Sequence, residues 1–163
     1  MVKEELEIIK HAIINEIESY EFYKMAIGNF DDPEIKEALK DLMEEEKNHV
    51  MWLEELFAKM KETDDDDVTL SNIPSPEPDK PFVWDVTKVK DIDSALSVYG
   101  IGLELEKRAA DFYNEQKDKT TNEDAKRLFG LLAKWEKAHL DSFSKMYDVL
   151  RHEWWNRQNY APF

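Results

Sequence analysis

Two tetrapeptides of this chain, Glu46-Lys47-Asn48-His49 and Glu136-Lys137-Ala138-His139, lie 90 positions apart. In a helix, residues three apart sit roughly 60° from one another on adjacent turns. Each tetrapeptide therefore directs one carboxylate and one imidazole at a common point. Two more glutamates, Glu16 and Glu106, are separated by the same 90 positions. Carboxylate and imidazole in this combination suit divalent cations.

The elements that must carry these residues are helices. Ile35, Leu39, Leu42, Glu46, His49, Leu53, Leu56 and Met60 follow one another in alternating steps of four and three, the spacing of a helix face packed on other helices. Glu46 and His49 interrupt that apolar stripe in its middle. A first stripe, Leu6, Ile9, Ile13, Glu16, Tyr20, Tyr23 and Ile27, predicts a helix over about 3–28. Gly28-Asn29 is a stop signal, and Asp32-Pro33 is a cap followed by proline at the first helical position, opening the second helix, to about 61. A third helix over roughly 92–118 carries Leu96, Tyr99, Leu103, Glu106, Ala110 and Tyr113. A fourth, about 122–150, carries Ala125, Phe129, Leu132, Glu136, His139, Phe143, Met146 and Leu150, with a capping signal at Thr121–Asp124.

The expected fold class is thus all-α: an antiparallel four-helix bundle in one domain spanning 1–163. It is built from a helix hairpin 3–61, a crossover linker 62–90, a second hairpin 92–150 and an aromatic tail 151–163. The linker has an acidic run and four prolines within eight positions, which oppose a regular element. Its 29 residues reach up to ~95 Å, whereas a 28-residue helix is ~42 Å long. It can therefore return along the whole bundle or cross to another subunit. The tail is expected to pack on a surface and has no assigned chemistry.

Sliding the chain on itself by 90 residues aligns Glu16 with Glu106, Tyr23 with Tyr113, Glu46 with Glu136 and His49 with His139, without a gap. Phe22/Phe112 and Leu42/Leu132 also match. A shared helical pattern accounts for repeated leucines, but not for repeated polar exceptions at equivalent depth. Unpaired buried carboxylates are costly enough to take up protons. Two divalent cations would balance four glutamates, and neutral imidazoles would complete the shell without adding charge. His11 and His152 lack the pattern and are expected at the surface. Trp52, Trp135 and the methionines read as packing.

Composition narrows the partners. The chain has 163 residues, no cysteine and a formal charge of −15. Disulfides, thiolate zinc sites, iron–sulfur clusters and thiol catalysis are absent from a chain without cysteine, which fits a cytoplasmic protein. The charge argues against a nucleic-acid partner. Neither a signal peptide nor an apolar run long enough for a membrane span is visible.

Glu16, the E46-K-N-H49 motif, Glu106 and the E136-K-A-H139 motif resemble the ligand pattern of ferritin-like di-iron carboxylate bundles. The segments E-I-E-S-Y-E-F-Y and E-K-R-A-A-D-F-Y, with a tyrosine seven residues after the glutamate, are most similar to the rubrerythrin branch. The resemblance covers residues 3–150. It implies two iron ions, with manganese or a mixed pair compatible. Glu16 and Glu106 would be single-helix ligands, Glu46 and Glu136 bridging carboxylates, and His49 and His139 would each cap one metal. Tyr23 and Tyr113 would hydrogen-bond ligand carboxylates or serve as core tyrosines with a satisfied hydroxyl.

The resemblance further implies an oxidoreductase that reduces hydrogen peroxide or dioxygen, a peroxide scavenger acting against oxidative stress. With no rubredoxin module in the chain, a separate rubredoxin-like electron donor is expected. The expected assembly is a homodimer, with a domain-swapped arrangement of hairpins left open. Rubrerythrins place another carboxylate three residues after the third-helix glutamate. This chain has Ala109 there and Ser19 at the equivalent position. The alternatives are a ferroxidase or iron-storage protein of ferritin type and a metal-stabilised bundle without turnover.

Overall fold

The computed structural model describes residues 2–62, 87 and 89–158. Among them are four helices and no strand: α1 (Val2–Ile27), α2 (Pro33–Glu62), α3 (Ile92–Lys119) and α4 (Glu123–Arg157). The helix ends follow their capping chemistry. Asp32 Oδ1 accepts the Glu34 amide at 2.9 Å and the Ile35 amide at 3.3 Å, just ahead of Pro33. Asp91 caps α3 through the Ser94 amide at 3.0 Å, and Asn122 caps α4 through the Ala125 amide at 2.9 Å.

All neighbouring helices run antiparallel. Glu16 of α1 pairs with Tyr113 of α3, and Tyr23 with Glu106, so the two chains of contacts run in opposite directions. The same reversal joins α2 to α4, where His49 faces Glu136 and His139 faces Glu46. The core is divided into two apolar clusters. One gathers Tyr23, Phe30, Ile35, Leu39, Leu42, Tyr99, Phe143, Met146 and Leu150. The other gathers Ile9, Leu53, Leu56, Met60, Tyr113, Leu128, Phe129 and Leu132. Glu16, Glu46, His49, Glu106, Glu136 and His139 form the layer between them. The end of α2 and the start of α3 fall at opposite ends of the bundle, as Met60 and Ile92 belong to different clusters. The connection between them, residues 63–86 and 88, lies outside the described residues.

Two details differ from the sequence expectation. First, the inward faces of α1 and α3 are rotated from their most apolar stripes. Ala12, Ser19 and Ala26 are buried while Ile13, Tyr20 and Ile27 are only half-buried; Ala95 and Gly102 are buried while Leu96 and Leu103 flank them. Small residues inside let these helices approach, and the larger ones close the seams. Second, α4 continues two turns past Leu150, to Arg157. Trp154 packs on the core and donates to Asp93 Oδ1 at 2.6 Å, and Arg157 donates to the Val89 carbonyl at 2.7 Å. These long-range contacts hold a segment whose own periodicity has faded. Residues 159–163 of the aromatic tail lie outside the described residues.

The duplicated halves fill one core position in complementary ways. A Cβ on Gly102 would lie 2.4 Å from Phe143 Cε1, and Phe143 is fully buried between Tyr99 and Tyr23. The equivalent positions in the other half are Ala12 and Leu53, a larger residue facing a smaller one. Gly102→Ala is therefore expected to destabilise the bundle by about 1–3 kcal/mol through overpacking, less up to ~1 kcal/mol of regained helix propensity. Denaturant melts should show Gly102→Ala/Phe143→Leu to be more stable than Gly102→Ala alone. A single variant as stable as the parent would mean that the Phe143 ring swings aside freely.

Candidate metal centre

The layer between the two apolar clusters collects six polar side chains from four helices. Glu16, Glu46, Glu106 and Glu136 are each 1% exposed, His49 is 0% and His139 is 2% exposed, so water cannot solvate them. The stripe periods carry each one inward: Glu16 on α1, Glu46 and His49 on α2, Glu106 on α3, Glu136 and His139 on α4.

Their atoms form two overlapping groups. Nδ1 of His49 lies 3.2 Å from Glu16 Oε2, 3.4 Å from Glu46 Oε2 and 2.9 Å from Glu136 Oε1. Nδ1 of His139 lies 3.3 Å from Glu106 Oε2, 3.4 Å from Glu46 Oε1 and 3.6 Å from Glu136 Oε2. Glu46 and Glu136 thus turn one oxygen toward each histidine, while Glu16 and Glu106 serve one group each. The two imidazoles stack with centroids 5.9 Å apart. In each group the ligand-type atoms lie within 4.8 Å of one another, close enough to surround a cation.

Hydrogen bonding among the side chains themselves does not satisfy this layer. One imidazole N–H can donate to one acceptor, yet three carboxylate oxygens converge on each Nδ1. Both oxygens of Glu46 and Oε1 of Glu136 lack a hydrogen bond of acceptable geometry among the described residues. Buried carboxylate oxygens without donors are rare and costly. The donor set, four carboxylates and two imidazoles, fits two divalent cations in charge and in chemistry.

Tyr23 and Tyr113 act crosswise. The Tyr23 hydroxyl donates to Glu106 Oε1, and the Tyr113 hydroxyl donates to Glu16 Oε1. Each tyrosine holds the glutamate of the other half. Burial, then the nearby carboxylates, push both phenols well above their ordinary value of 10.0, so they remain donors at physiological pH.

For the side chains alone, burial and then the charges of Glu136 and Glu46 raise Glu16 well above its ordinary 4.5. Burial, with Glu46 and Glu136, does the same to Glu106 despite His139 beside it. Burial opposes the charged forms of Glu46 and Glu136 as well, but the two histidines outweigh it and hold both below 4.5. Burial lowers the imidazoles, and the carboxylates around them more than reverse this, leaving His49 and His139 well above 6.5.

A family model for rubrerythrin matches residues 7–147. The chain belongs to the rubrerythrin family. A solved structure, a hypothetical protein from Pyrococcus furiosus, is similar to this rubrerythrin-family chain at 25% identity, with a TM-score of 0.68 and 90% of each chain covered. No curated protein matches it. The family and the buried carboxylate–histidine layer together are compatible with a metal site, and the resemblance seen in the motifs is that of the family. No helix among the described residues is long and apolar enough to cross a membrane.

The structure brings together all eight side chains singled out by the spacing. His11 and His152 are exposed, as expected. Trp52 and Trp135 do more than fill space, because their rings wall in the histidines: Trp52 and Trp135 lie 5.5 and 5.8 Å from His49, and Trp135 lies 6.1 Å from His139. One contact was not legible in advance. Glu45 Oε2 meets His139 Nε2 at 2.7 Å, although Glu45 lies off the inward stripe that carries its neighbour Glu46.

The pKa directions set a pH dependence for the cation-free protein. Glu16, Glu106, His49 and His139 hold protons in the folded state that the unfolded chain releases near 4.5 and 6.5. Their contribution is complete below those unfolded values and is lost as pH rises through the raised folded ones. Glu46 and Glu136 act oppositely, losing theirs only as pH falls through values below 4.5. Thermal melts in chelator should therefore show stability falling as pH rises from the ordinary imidazole value of 6.5 into the alkaline range. A melting temperature that stays flat or rises across this window would contradict the assignment.

Proposed function

We propose that this chain is a dinuclear iron oxidoreductase that reduces hydrogen peroxide, or dioxygen, with electrons from an external rubredoxin-like donor. The observation that carries the reading is the disposition of Glu46 and Glu136, each with one oxygen toward each histidine. That disposition suits bridging between two ions. Glu16 and His49 would complete one ion's shell, and Glu106 and His139 the other's. Manganese or a mixed pair is compatible with the same donors.

Bound iron would supply the electron pair that cleaves the O–O bond, in the balance H2O2 + 2 H⁺ + 2 e⁻ → 2 H2O. The chain's own residues supply the setting. Four antiparallel helices fix the donors, which lowers the reorganisation needed at the reacting centre. Tyr113 and Tyr23 orient the terminal carboxylates Glu16 and Glu106 through Oε1 and leave Oε2 facing the histidines. Apolar clusters above and below exclude bulk water. With no cysteine for an internal rubredoxin-type centre, the reductant acts from outside. A homodimer, including a domain-swapped one, is compatible with a connection that joins opposite ends of the bundle. A chain free of cysteine also suits the cytoplasm, where scavenging of peroxide under oxidative stress would be useful.

A second reading has a specific observation behind it. Ala109 stands where rubrerythrins have an additional carboxylate, and its counterpart is Ser19. A balanced six-residue set also suits a ferroxidase or iron-storage protein of ferritin type. Storage requires a hollow cage, so a solution mass of a dimer counts against it.

Anaerobic loading with Fe(II) should give two ions per chain. His49→Leu/His139→Leu should lose most of that metal, with helicity by circular dichroism nearly intact. Retention of two tightly bound ions by this variant would refute the ligand assignment. Rapid mixing of the Fe(II)-loaded protein with peroxide and, separately, with oxygen then separates the readings. Faster oxidation by peroxide supports scavenging, faster oxidation by oxygen supports the ferroxidase, and inertness to both removes the oxidoreductase.

A further inference from the structure

The repeat makes the two halves of the site equivalent at every ligand position and unequal beside the histidines. Positions 45 and 135 correspond under the 90-residue shift, and they hold Glu45 and Trp135. Glu45 reaches across from α2 to α4, where its Oε2 lies 2.7 Å from His139 Nε2, and its side chain is 22% exposed. In the other half Trp135 takes the corresponding place. Its ring meets the His49 ring edge-on at 5.8 Å, with Trp52 at 5.5 Å. His49 Nε2 is buried there with no hydrogen-bond partner among the described residues.

The consequence follows from imidazole chemistry. A carboxylate at Nε2 selects the tautomer with the proton on Nε2, leaving the Nδ1 lone pair facing Glu46, Glu106 and Glu136. It also fixes the ring orientation and makes Nδ1 a stronger donor to a cation. Neither effect acts on His49, whose Nε2–H would be held against indole rings. Glu45 also adds a negative charge on the His139 side alone.

We propose that Glu45 is a positioning residue that makes the two metal sites unequal, the Glu106/His139 side binding its ion more tightly than the Glu16/His49 side. The near-symmetric ligand set would then contain one retained ion and one exchangeable ion. This inference rests on the dinuclear reading of the site and goes beyond it, since the ligand set alone predicts two equal halves.

Calorimetric titration of the cation-free protein with Co(II) tests it without any turnover. The parent protein should bind two ions in separate steps about tenfold or more apart, and Glu45→Gln should weaken the tighter step by about 10–100-fold. The steps should then draw together. Glu45→Ala should do the same, while Glu44→Gln, which alters a neighbouring exposed charge, should leave both steps in place. Two ions bound equally by the parent and unchanged in Glu45→Gln would overturn the inference and leave the dinuclear site standing. Equal weakening of both steps would also overturn it, pointing to a general charge effect. Failure of the parent to bind two ions would remove the dinuclear reading together with this one.

Discussion

Four carboxylates packed at one level inside a helical bundle repel one another and have lost their water. That conflict organises the rest of the structure. Helix periodicity would ordinarily place apolar residues at these positions, as it does in the clusters on either side. The layer therefore has an electrostatic requirement that the surrounding core cannot meet. Phenol hydroxyls relieve the outer pair of glutamates, Glu16 and Glu106. The inner pair, Glu46 and Glu136, is left with oxygens that no donor reaches in good geometry, and these are the oxygens directed between the histidines.

The second constraint is volume. Four helices can bring ligands to one point only if they approach closely, and the inward faces correspondingly carry small residues among the larger ones: Ala12, Ser19 and Ala26 on α1, Ala95 and Gly102 on α3. Duplication did not preserve the details. One half places glycine against phenylalanine and the other alanine against leucine, conserving the space rather than the residues. The polar layer kept its identities because a metal-type donor set has no equivalent substitute, whereas a packed volume can be divided in many ways.

Much of this was readable in the residue order. Four helices follow from stripes of period 3.6, and the six carboxylate and imidazole residues of the layer stand out because they interrupt those stripes at matching depth. Three features were not readable, each for the same physical reason. The last two turns of α4 depend on Trp154 meeting Asp93 and Arg157 meeting the Val89 carbonyl. Glu45 finds His139 only once α2 and α4 are side by side. The rotation of α1 toward Ala12, Ser19 and Ala26 reflects interhelical distance, which hydrophobicity along a single helix does not encode. Local periodicity reports which residues can turn inward; it is silent on which neighbour they will meet.

The exchange of hydrogen bonds between tyrosines and glutamates bears on how such a protein could arise. Tyr23 shares a helix with Glu16 yet serves Glu106, and Tyr113 repays the arrangement in reverse. A solitary hairpin consequently holds neither a braced carboxylate nor a full set of donors, however well it folds. Two identical hairpins laid head to tail possess both at once. Joining their genes would add nothing to the centre except the freedom for each copy to drift, and the divergence of positions 45 and 135 is what that freedom looks like after the copies ceased to be interchangeable.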